Sequence, residues 1–401
     1  MVQRIGLFGL FGVGNIGNDG SMESMLRFLR ATRPDADLTC ICGGPALIEK
    51  RYGVRSVGIG GDRTDQGVRG LLNRLPLVRK LLQGVDAFRE ARRLDVIIVP
   101  GTGILDDFGD SFLGMPVSLL TWCAAARLCG AKLAFVSVGA GPIRHPVSRW
   151  LMQRAAGLAH YRSYRDTVSK AFMDSIGFDT GGDPIFPDIA FRLQAPEGVG
   201  ERAPGRSEPL TVGVGVMAYY GWRGPAGPGA NEIYAAYLDK MARFVLWLLD
   251  RGHPVRILTG ETTDQQAVDD LLRVMAQRRP DFACDRIAAE PVHSLHDLMS
   301  QIAMTDIVVA TRFHNIVCAL KLCKPAASIS YARKNDVLMA EMGLGEFCQH
   351  VELLDVDRLI DDLTRLIAAR ETHVRTMQEV NALYRERLDR QEQALQEMLR
   401  L

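Results

Sequence analysis

The chain has 401 residues, with 48 Lys and Arg against 47 Asp and Glu, so its formal charge is only +1. This balance argues against nucleic-acid binding, which requires a basic face. A hydrophobic content of 47% with 24% charged residues is typical of globular proteins and argues against a disordered or fibrous chain. The length exceeds what one ordinary hydrophobic core accommodates and predicts two domains.

Targeting and redox signals are weak in this sequence. The eight cysteines form no CxxC pair, which argues against a zinc knuckle or a redox motif and predicts buried, reduced thiols. Glycines interrupt the apolar stretch Ile5–Val13, so it predicts a first strand and its turn rather than a secretory leader. No apolar run approaches the roughly 18–20 residues of a membrane span. We therefore expect a cytoplasmic protein.

The first half of the chain alternates apolar strands with helices, and glycine-rich turns follow several of the strands. This alternation is typical of a doubly wound parallel sheet. Residues 58–70 are polar and rich in glycine, which predicts a mobile loop. The predicted elements are a strand at Arg4–Leu10, a helix at Ser21–Ala31 with Ser21 as its cap, a strand at Leu38–Cys42, a helix at Leu81–Arg93, a strand at Asp95–Val99, a helix at Leu119–Cys129 and a strand at Leu133–Val138.

A second α/β run follows a segment of small, polar and proline-rich residues. That segment, residues 196–209, has almost no large apolar side chain and predicts a linker. The sequence thus predicts an N-terminal domain at 1–195, a C-terminal domain at 210–365 and a C-terminal helix at 366–401. The predicted elements of the second run are strands at Leu210–Met217, Pro254–Leu258, Asp306–Ala310 and Ala326–Ser330, with helices at Glu232–Asp250, Leu295–Ala303 and His314–Leu322.

The tail from about Thr372 to Leu401 predicts one long amphipathic helix. Apolar side chains, among them Met377, Tyr384 and Leu388, recur along one side of it at helical spacing. We expect this helix to pack against its own domain. A dimer seam is the alternative, which leaves a homo-oligomer open.

Two Rossmann-like domains place ligands outside the carboxyl ends of their strands, so we expect the chemistry in a cleft between the domains. After the first strand, the glycine-rich segment Gly12–Asp19 precedes a helix and suits a close approach of the backbone to an anion. Asn15 and Asp19 add polar groups, although a plain tight turn explains the segment equally well. After the fourth strand, Asp106 and Asp107 either contact a sugar hydroxyl or cap the next segment. No His or further carboxylate stands at ligand spacing, so we expect no metal site.

Charged residues also open a helix later in the first half. Asp166 follows Arg165 directly, and we expect it to cap the helix and to form a local ion pair. Asp188 stands where a loop enters the core, which predicts a structural hydrogen bond.

The sharpest signal lies in the second half of the chain. The apolar strand Asp306–Ala310 ends, and Arg312 and His314 follow before the next helix. Both residues therefore lie at a strand end and at a helix N-terminus, where an anion is favoured. An Arg that holds an oxyanion and a His that moves a proton are a working pair for acid–base chemistry on a phosphorylated substrate. Tyr331 and Lys334 follow the next strand, and Lys334 adds a cation at the same edge.

Short motifs follow one another along roughly residues 4–345. They are Gly14-Asn-Ile-Gly17, Gly101-Thr-Gly-Ile-Leu-Asp106, Val138-Gly-Ala-Gly-Pro142, Arg165-Asp-x-x-Ser169, Asp188-Ile-Ala-Phe191, Arg312-Phe-His314 and Ser330-Tyr-x-x-Lys334. In this order they resemble the motifs of the polysaccharide pyruvyl transferase family. The ordered series carries the resemblance, since each motif alone is weak.

The resemblance implies a fold similar to that of GT-B glycosyltransferases, and the transfer of pyruvate from phosphoenolpyruvate (PEP) to a sugar as a ketal. The implied acceptor is a lipid-linked oligosaccharide or another glycan of the cell envelope or an exopolysaccharide, which leaves a peripheral membrane association open. No cofactor is implied. The family's R-x-H motif maps onto Arg312 and His314, with the His as acid. The residues expected to bind PEP are Arg223, Tyr331, Lys334 and Arg165, and those expected to bind the acceptor are Asn15, Asp19 and Asp106.

The sequence departs from the family's pattern at two places. The family reads Gly-Asn-Ile-Gly-Asp, whereas here Asn18 precedes Asp19. An Arg usually follows the first strand of the second half closely, whereas here Arg223 stands in a shifted position. These departures bear on the donor more than on the fold.

The chemistry implied for PEP suits the residues present. Protonation of the PEP methylene carbon creates a cation at C2, which a sugar hydroxyl attacks; phosphate then leaves and a second hydroxyl closes the ketal. His314 would be the acid, with Arg312 and its neighbours as fixed positive charge. The base for the hydroxyls stays open among Asp106, Asp19 and Glu261.

Two other functions compete with this interpretation. One is a GT-B glycosyltransferase that uses a nucleotide sugar, although no convincing Glu-rich donor motif stands near Glu341 and Glu346. The other is a catalytically silent assembly protein, against which the intact Arg312 and His314 pair argues. If Arg312 holds PEP with two parallel hydrogen bonds, Arg312→Lys should weaken PEP binding and leave the fold intact. If Arg312 instead pairs with a carboxylate of the chain, the same change should lower the melting temperature.

Overall fold

The computed structural model of the protein describes residues 2–60, 76–108, 110–196 and 209–400. Most of the loop predicted at 58–70, and nearly all of the linker predicted at 196–209, lie outside the described residues. The chain divides into two compact units, one formed by Met1–Ala190 with Arg387–Leu401 and the other by Phe191–Glu386. Each unit is built on a sheet of six strands.

The strands of the first unit lie side by side in the order β3-β2-β1-β4-β5-β6, and every neighbouring pair is parallel. They are β1 (Arg4–Gly9), β2 (Asp37–Cys42), β3 (Arg55–Gly58), β4 (Val96–Pro100), β5 (Lys132–Val138) and β6 (Tyr161–Tyr164). The described helices are α1 (Ile16–Thr32), α2 (Pro45–Tyr52), α3 (Pro76–Ala91), α4 (Met115–Leu128), α5 (Pro146–Gly157) and α6 (Thr167–Ser175).

The apolar character of these strands reflects burial on both sides of the sheet. Every residue of β4 is buried, which is typical of a central strand in a parallel sheet covered by helices. Phe8 of β1 and Trp122 of α4 meet in the core with their ring centroids 6.1 Å apart. The sheet is therefore a rigid base on which the loops after each strand are held.

The second unit repeats the same plan with the order β9-β8-β7-β10-β11-β12, again entirely parallel. Its strands are β7 (Val212–Gly215), β8 (Val255–Leu258), β9 (Ile287–Ala288), β10 (Ile307–Ala310), β11 (Ala326–Ser330) and β12 (Cys348–His350). Its described helices are α7 (Ala230–Asp250), α8 (Gln265–Arg278), α9 (Leu295–Ala303), α10 (Phe313–Lys321), α11 (Arg333–Glu341) and α12 (Val356–Ala368).

Counted within its own unit, each sheet has the strand order 3-2-1-4-5-6 of a Rossmann fold. In such a sheet the strand order reverses between the first and fourth strands, and ligands bind outside the carboxyl ends of those two strands. The reversal falls between β1 and β4 in the first unit and between β7 and β10 in the second. The two predicted Rossmann-like sheets are confirmed.

The chain ends in the long helix α13, Arg370–Leu399, as predicted. The apolar side chains of its predicted stripe, including Tyr384 and Leu388, are buried. Two polar side chains are buried beside them. The Asn381 amide donates to the carbonyl of Leu320, and the Gln391 amide donates to the hydroxyl of Ser137.

The start of the first helix differs from the prediction. Ser21 is not the cap, because α1 begins at Ile16 and the Asn15 side chain accepts hydrogen bonds from the N–H groups of Gly17 and Asn18. Ser21 lies inside the helix, where its hydroxyl donates to the carbonyl of Gly101. The glycine-rich turn hides the true start, because residues 16–20 have low helix propensity.

All eight cysteines are free thiols. Within the described residues, no helix combines the length and the apolar character needed to cross a bilayer.

Candidate functional site

Arg312 is held by two carboxylates at the carboxyl end of β10. Its Nε and Nη2 donate to the two oxygens of Asp264 at 2.8 and 2.6 Å, and its Nη1 lies 2.9 Å from Glu261. Burial works against the charged guanidinium, but the attraction of Asp264 and Glu261 outweighs it and raises the pKa of Arg312 above its ordinary value. The side chain is thus a fixed, permanently charged part of the unit.

Asp264 connects three loops of the second unit. It is fully buried and also accepts hydrogen bonds from the backbone N–H groups of Ala218, Gly260 and Glu261. Ala218 follows β7, Gly260 follows β8, and Arg312 follows β10. The sequence gives only one signal for this residue, which is that Gly260-Glu-Thr-Thr-Asp264 follows the end of a buried strand.

The paired hydrogen bonds predicted between Arg312 and an anionic substrate are made instead with Asp264. The structure therefore corresponds to the alternative in which Arg312 pairs with a carboxylate of the chain. The physical reason lies in the strand order, which places β8 beside β7 and β7 beside β10. An aspartate just beyond β8 can consequently reach an arginine just beyond β10.

His314 lies in the first turn of α10, beside an aromatic and cationic cluster. Its ring meets the ring of Phe313 edge to face, with the centroids 5.3 Å apart. The ammonium of Lys334 lies 5.5 Å from the centre of the Phe313 ring and 5.1 Å from the centre of the Tyr331 ring. Arg312 and His314 follow β10, and Tyr331 and Lys334 follow the neighbouring strand β11, so all four residues lie at the same edge of the sheet.

Two helices begin at this edge without a side-chain cap. The N-cap residue of α10 is Arg312, and that of α11 is Ala332; neither side chain accepts a hydrogen bond from the first turn of its helix. Because β10 and β11 are neighbouring parallel strands, the positive ends of both helices lie at the same edge. Backbone N–H groups and helix dipoles therefore favour an anion here.

Glycines at the ends of β7 and β8 let neighbouring side chains pack directly against the backbone. A Cβ on Gly215 would lie 2.6 Å from Nδ2 of Asn315, and a Cβ on Gly260 would lie 2.9 Å from side-chain atoms of Arg312. Asn315 is fully buried, and among the described residues its carboxamide has no hydrogen-bond partner. A buried polar group without a protein partner calls for a physical explanation, such as an ordered water molecule or a bound ion.

Arg223 and Glu261 also belong to the second unit. Arg223 is exposed and directly precedes the short 3-10 helix Gly224–Ala226. Glu261 caps the turn Thr262–Asp264 and faces Arg312. Both residues therefore lie on loops that follow β7 or β8.

In the first unit, Asn15 and Asp19 are used by the backbone around them. Asn15 caps α1, and one oxygen of Asp19 accepts the N–H of Gly12 at 2.8 Å. Burial raises the pKa of Asp19, because its carboxylate is removed from water and Arg51 approaches it only to 4.0 Å. These contacts shape the glycine-rich turn after β1.

Arg165 also lies in the first unit, at the end of β6. It is buried, with Nη1 donating to Asp188 at 3.2 Å and Nε 3.6 Å from Asp166. A Cβ on Gly139 would lie 2.5 Å from Arg165, so only glycine fits there. Asp166 caps α6 through the N–H of Ser169, and the predicted cap and ion pair are confirmed.

Asp106 is half-buried in the loop after β4. Its Oδ1 accepts the N–H of Phe108, and its Oδ2 would lie 3.3 Å from a Cβ on Gly103. Arg165 approaches the same Gly103 position, so Asp106 and Arg165 flank one glycine. Within residues 2–60, 76–108, 110–196 and 209–400, no three His, Cys, Asp or Glu side chains group as metal ligands.

Solved structures place this fold in the GT-B-like class. The UDP-GlcNAc 2-epimerase of Methanocaldococcus jannaschii is 11% identical, with a TM-score of 0.58, over 91% of this chain and 92% of that enzyme. The Neisseria meningitidis UDP-GlcNAc 2-epimerase bound to UDP-GlcNAc is 10% identical, with a TM-score of 0.56, over 97% and 100%. A glycosyltransferase of Rickettsia africae is 11% identical, with a TM-score of 0.54, over 98% and 99%. At these identities the likeness is one of fold.

The sequence model of polysaccharide pyruvyl transferases matches residues 15–333, which include Arg312, His314 and Tyr331. The protein belongs to the polysaccharide pyruvyl transferase family. No curated protein sequence matches the chain.

Proposed function

We propose that this protein transfers pyruvate from PEP to a sugar of a cell-envelope glycan or an exopolysaccharide, and closes it into a ketal. The observation that carries the proposal is the position of His314 in the first turn of α10, beside Phe313, whose ring lies 5.5 Å from the ammonium of Lys334, at an edge where two helices begin uncapped. Family membership supports a transferase that acts on polysaccharide. The donor and the residue roles below are our proposal.

The charge of this site suits a donor with two anionic groups. Two carboxylates hold the single positive charge of Arg312, so the three side chains together carry a net negative charge and do not attract an anion. Lys334 and the positive ends of α10 and α11 then provide the attraction for the carboxylate and phosphate of PEP. Arg223 is the further cation that we propose for the donor, since it lies on the loop after β7. Arg165 forms a buried ion pair in the first unit, which favours a structural role for it.

His314 is proposed as the acid that protonates C3 of PEP. The C2 cation that results is attacked by one sugar hydroxyl, and the bond from C2 to the phosphate oxygen then breaks. A second hydroxyl of the same sugar closes the ketal. One hydroxyl proton replaces the proton lost by His314, and the other leaves with the phosphate, so the step balances without a redox partner.

The base that accepts the hydroxyl proton remains among the three carboxylates named from the sequence. Asp19 is nearly fully buried and holds the Gly12 turn, which makes it the weakest of the three. Glu261 faces Arg312, and Asp106 is half-buried beside Gly103. We propose Glu261 and Asp106 as the two to test, with Asp106 and Asn15 on the acceptor side.

A thermal-shift titration tests the donor directly. We expect millimolar PEP to raise the melting temperature without added divalent metal, because ligand binding to the folded state stabilises it. With an acceptor glycan, phosphate release should then require PEP. A melting temperature that responds to UDP sugars but not to PEP would instead favour a nucleotide-sugar glycosyltransferase. No response to either donor would favour the silent assembly protein.

A further inference from the structure

Helix α3 leaves three of its larger apolar side chains exposed to solvent. Leu81, Val85 and Phe88 are 72%, 59% and 41% exposed. Their spacing of four and three residues places them on one side of the helix, where they form a continuous stripe. A surface helix of a globular protein normally turns such a stripe toward the core, so this arrangement requires an explanation.

The packing of α3 shows why the stripe faces outward. The helix contacts the core through small residues: Ala87 and Ala91 are fully buried, and a Cβ on Gly84 would meet Thr121 of α4 at 4.0 Å. Small residues allow α3 to lie close against α4. The bulky side chains then have no place between the two helices and remain on the outer side.

The exposed apolar surface continues onto the end of α4. The thiol of Cys129, which follows α4, lies 3.8 Å from the carbonyl of Phe88, so the two helix ends are neighbours. Leu128, the last residue of α4, is 80% exposed. We call Leu81, Val85, Phe88 and Leu128 the apolar stripe.

Positively charged side chains lie beside the apolar stripe, and the negatively charged side chains of α3 lie on the opposite side of the helix. Arg89 and Arg92 are exposed at its C-terminal end, and the Arg92 guanidinium lies 5.8 Å from the centre of the Phe88 ring. At 100° per residue, both arginines lie within a quarter turn of Leu81, whereas the acidic residues of α3 fall on the far side. Those acidic residues are half-buried, and Glu90 is paired with arginines. The apolar stripe is therefore bordered by cations.

We propose that the apolar stripe is a docking surface for an anionic lipid bilayer. Exposed Leu and Phe beside Arg are what an interfacial helix requires, since the apolar side chains enter the acyl boundary while the guanidinium groups meet the headgroup phosphates. A second copy of the chain fits less well, because a two-fold contact would bring the arginines of both copies into one interface, while the acidic residues of α3 lie on its far side. The surface would hold the enzyme where lipid-linked sugars are found.

Vesicle sedimentation of the full-length protein tests the proposal without donor or acceptor, so its outcome is independent of the proposed pyruvyl transfer. The protein should sediment with phosphatidylcholine vesicles that contain phosphatidylglycerol, and much less with phosphatidylcholine alone. Added salt should weaken the binding, because it screens the arginines.

Two sets of variants separate the apolar and the charged contributions. The triple variant L81S/V85S/F88S should lower the partition coefficient at least about a hundredfold, because three apolar side chains no longer leave water. R89Q/R92Q should lower it roughly tenfold or more on anionic vesicles. The matched controls are Leu383→Ser and Arg375→Gln on α13, which remove an exposed apolar side chain and an exposed charge elsewhere. All variants should keep the wild-type melting temperature.

Three results would overturn the proposal. The first is a wild-type protein that does not sediment with anionic vesicles, or that binds neutral vesicles equally well. The second is a triple variant that still binds as the wild type does. The third is a dimer in analytical ultracentrifugation that L81S/V85S/F88S dissociates while vesicle binding is absent, which would make a second copy the occupant of the apolar stripe.

Discussion

The two sheets share one strand order, yet the helices that begin at their reversal points start in different ways. In the first unit, α1 is capped by the Asn15 side chain, and the buried carboxylate of Asp19 fastens the preceding loop. In the second unit, α10 starts after Arg312, whose side chain turns away to Asp264 and caps nothing. A capped helix has satisfied its first N–H groups, whereas an uncapped one still offers them.

This difference shows how one fold gives its two halves different tasks. A Rossmann-like sheet always offers a reversal point, but the local side chains decide whether that point binds an anion. At the reversal point of the first unit, the side chains of Asn15 and Asp19 already bind the backbone N–H groups. At the second, His314 and the uncapped start of α10 lie just beyond β10, and the uncapped start of α11 with Lys334 lies beyond the neighbouring strand β11. On this comparison we propose that the donor binds to the second unit, and three experiments can break or sharpen that proposal.

The largest effect is expected on turnover. His314→Ala should lower kcat by about 10²–10⁴-fold, the usual contribution of a general acid, while the thermal shift caused by PEP persists. His293→Ala, at an exposed position of the same unit, is the matched control and should turn over like the wild type. Turnover close to that of the wild type in His314→Ala would remove His314 from the mechanism and leave the second reversal point without an acid.

The next effect is on the stability of the second unit. Asp264→Ala leaves the buried Arg312 without its main partner and should lower the free energy of unfolding by about 3–5 kcal/mol. Arg312→Lys should lower it by less, about 1–3 kcal/mol, since the charge remains but the paired hydrogen bonds are lost. Denaturant unfolding of the ligand-free protein measures both values.

Asp250→Ala is the control for these two changes. It breaks an ion pair with Arg279 at the surface and should leave the melting temperature unchanged, because exposed pairs contribute little. If Arg312→Lys keeps the wild-type stability and only weakens PEP binding, Arg312 contacts the donor, and Asp264 does not act by positioning it.

The smallest effect is expected at the first reversal point. Asn15→Ala removes the cap of α1 and should lower the free energy of unfolding by about 1 kcal/mol; Asn15→Ser should recover most of it. The affinity for PEP should not change in either variant. If Asn15 also binds the acceptor, the KM for the acceptor glycan rises in Asn15→Ala. Weaker PEP binding would contradict the placement of the donor in the second unit.

Much of this fold can be predicted from the amino-acid sequence alone. A parallel strand buried on both faces must be apolar throughout, as β4 and β10 are, so such strands are predictable one by one. The turn after β4 is predictable as well, because Gly101 has a positive φ that favours glycine. The motif of Arg312 and His314 stands at the end of such a strand, which predicted its position in the fold. The long helix α13 is also predictable, because its apolar residues recur at helical spacing.

Other features depend on which strands become neighbours. Asp264 stands 48 positions before Arg312, and no local sequence pattern links the two residues. Only the strand order β8-β7-β10 brings their loops together. The guanidinium of Arg312, which the sequence predicted to bind an anionic substrate, therefore binds the carboxylate of Asp264 instead. The exposure of the apolar stripe of α3 could not be predicted from the sequence either. A helical period shows that an apolar stripe exists, but it does not show which side of the helix is buried. The small residues Gly84 and Ala87 let α3 pack closely through their side of the helix, and this packing determines which side is buried. The sequence of α3 alone cannot show this, because contact between two helices depends on the surface shapes of both helices.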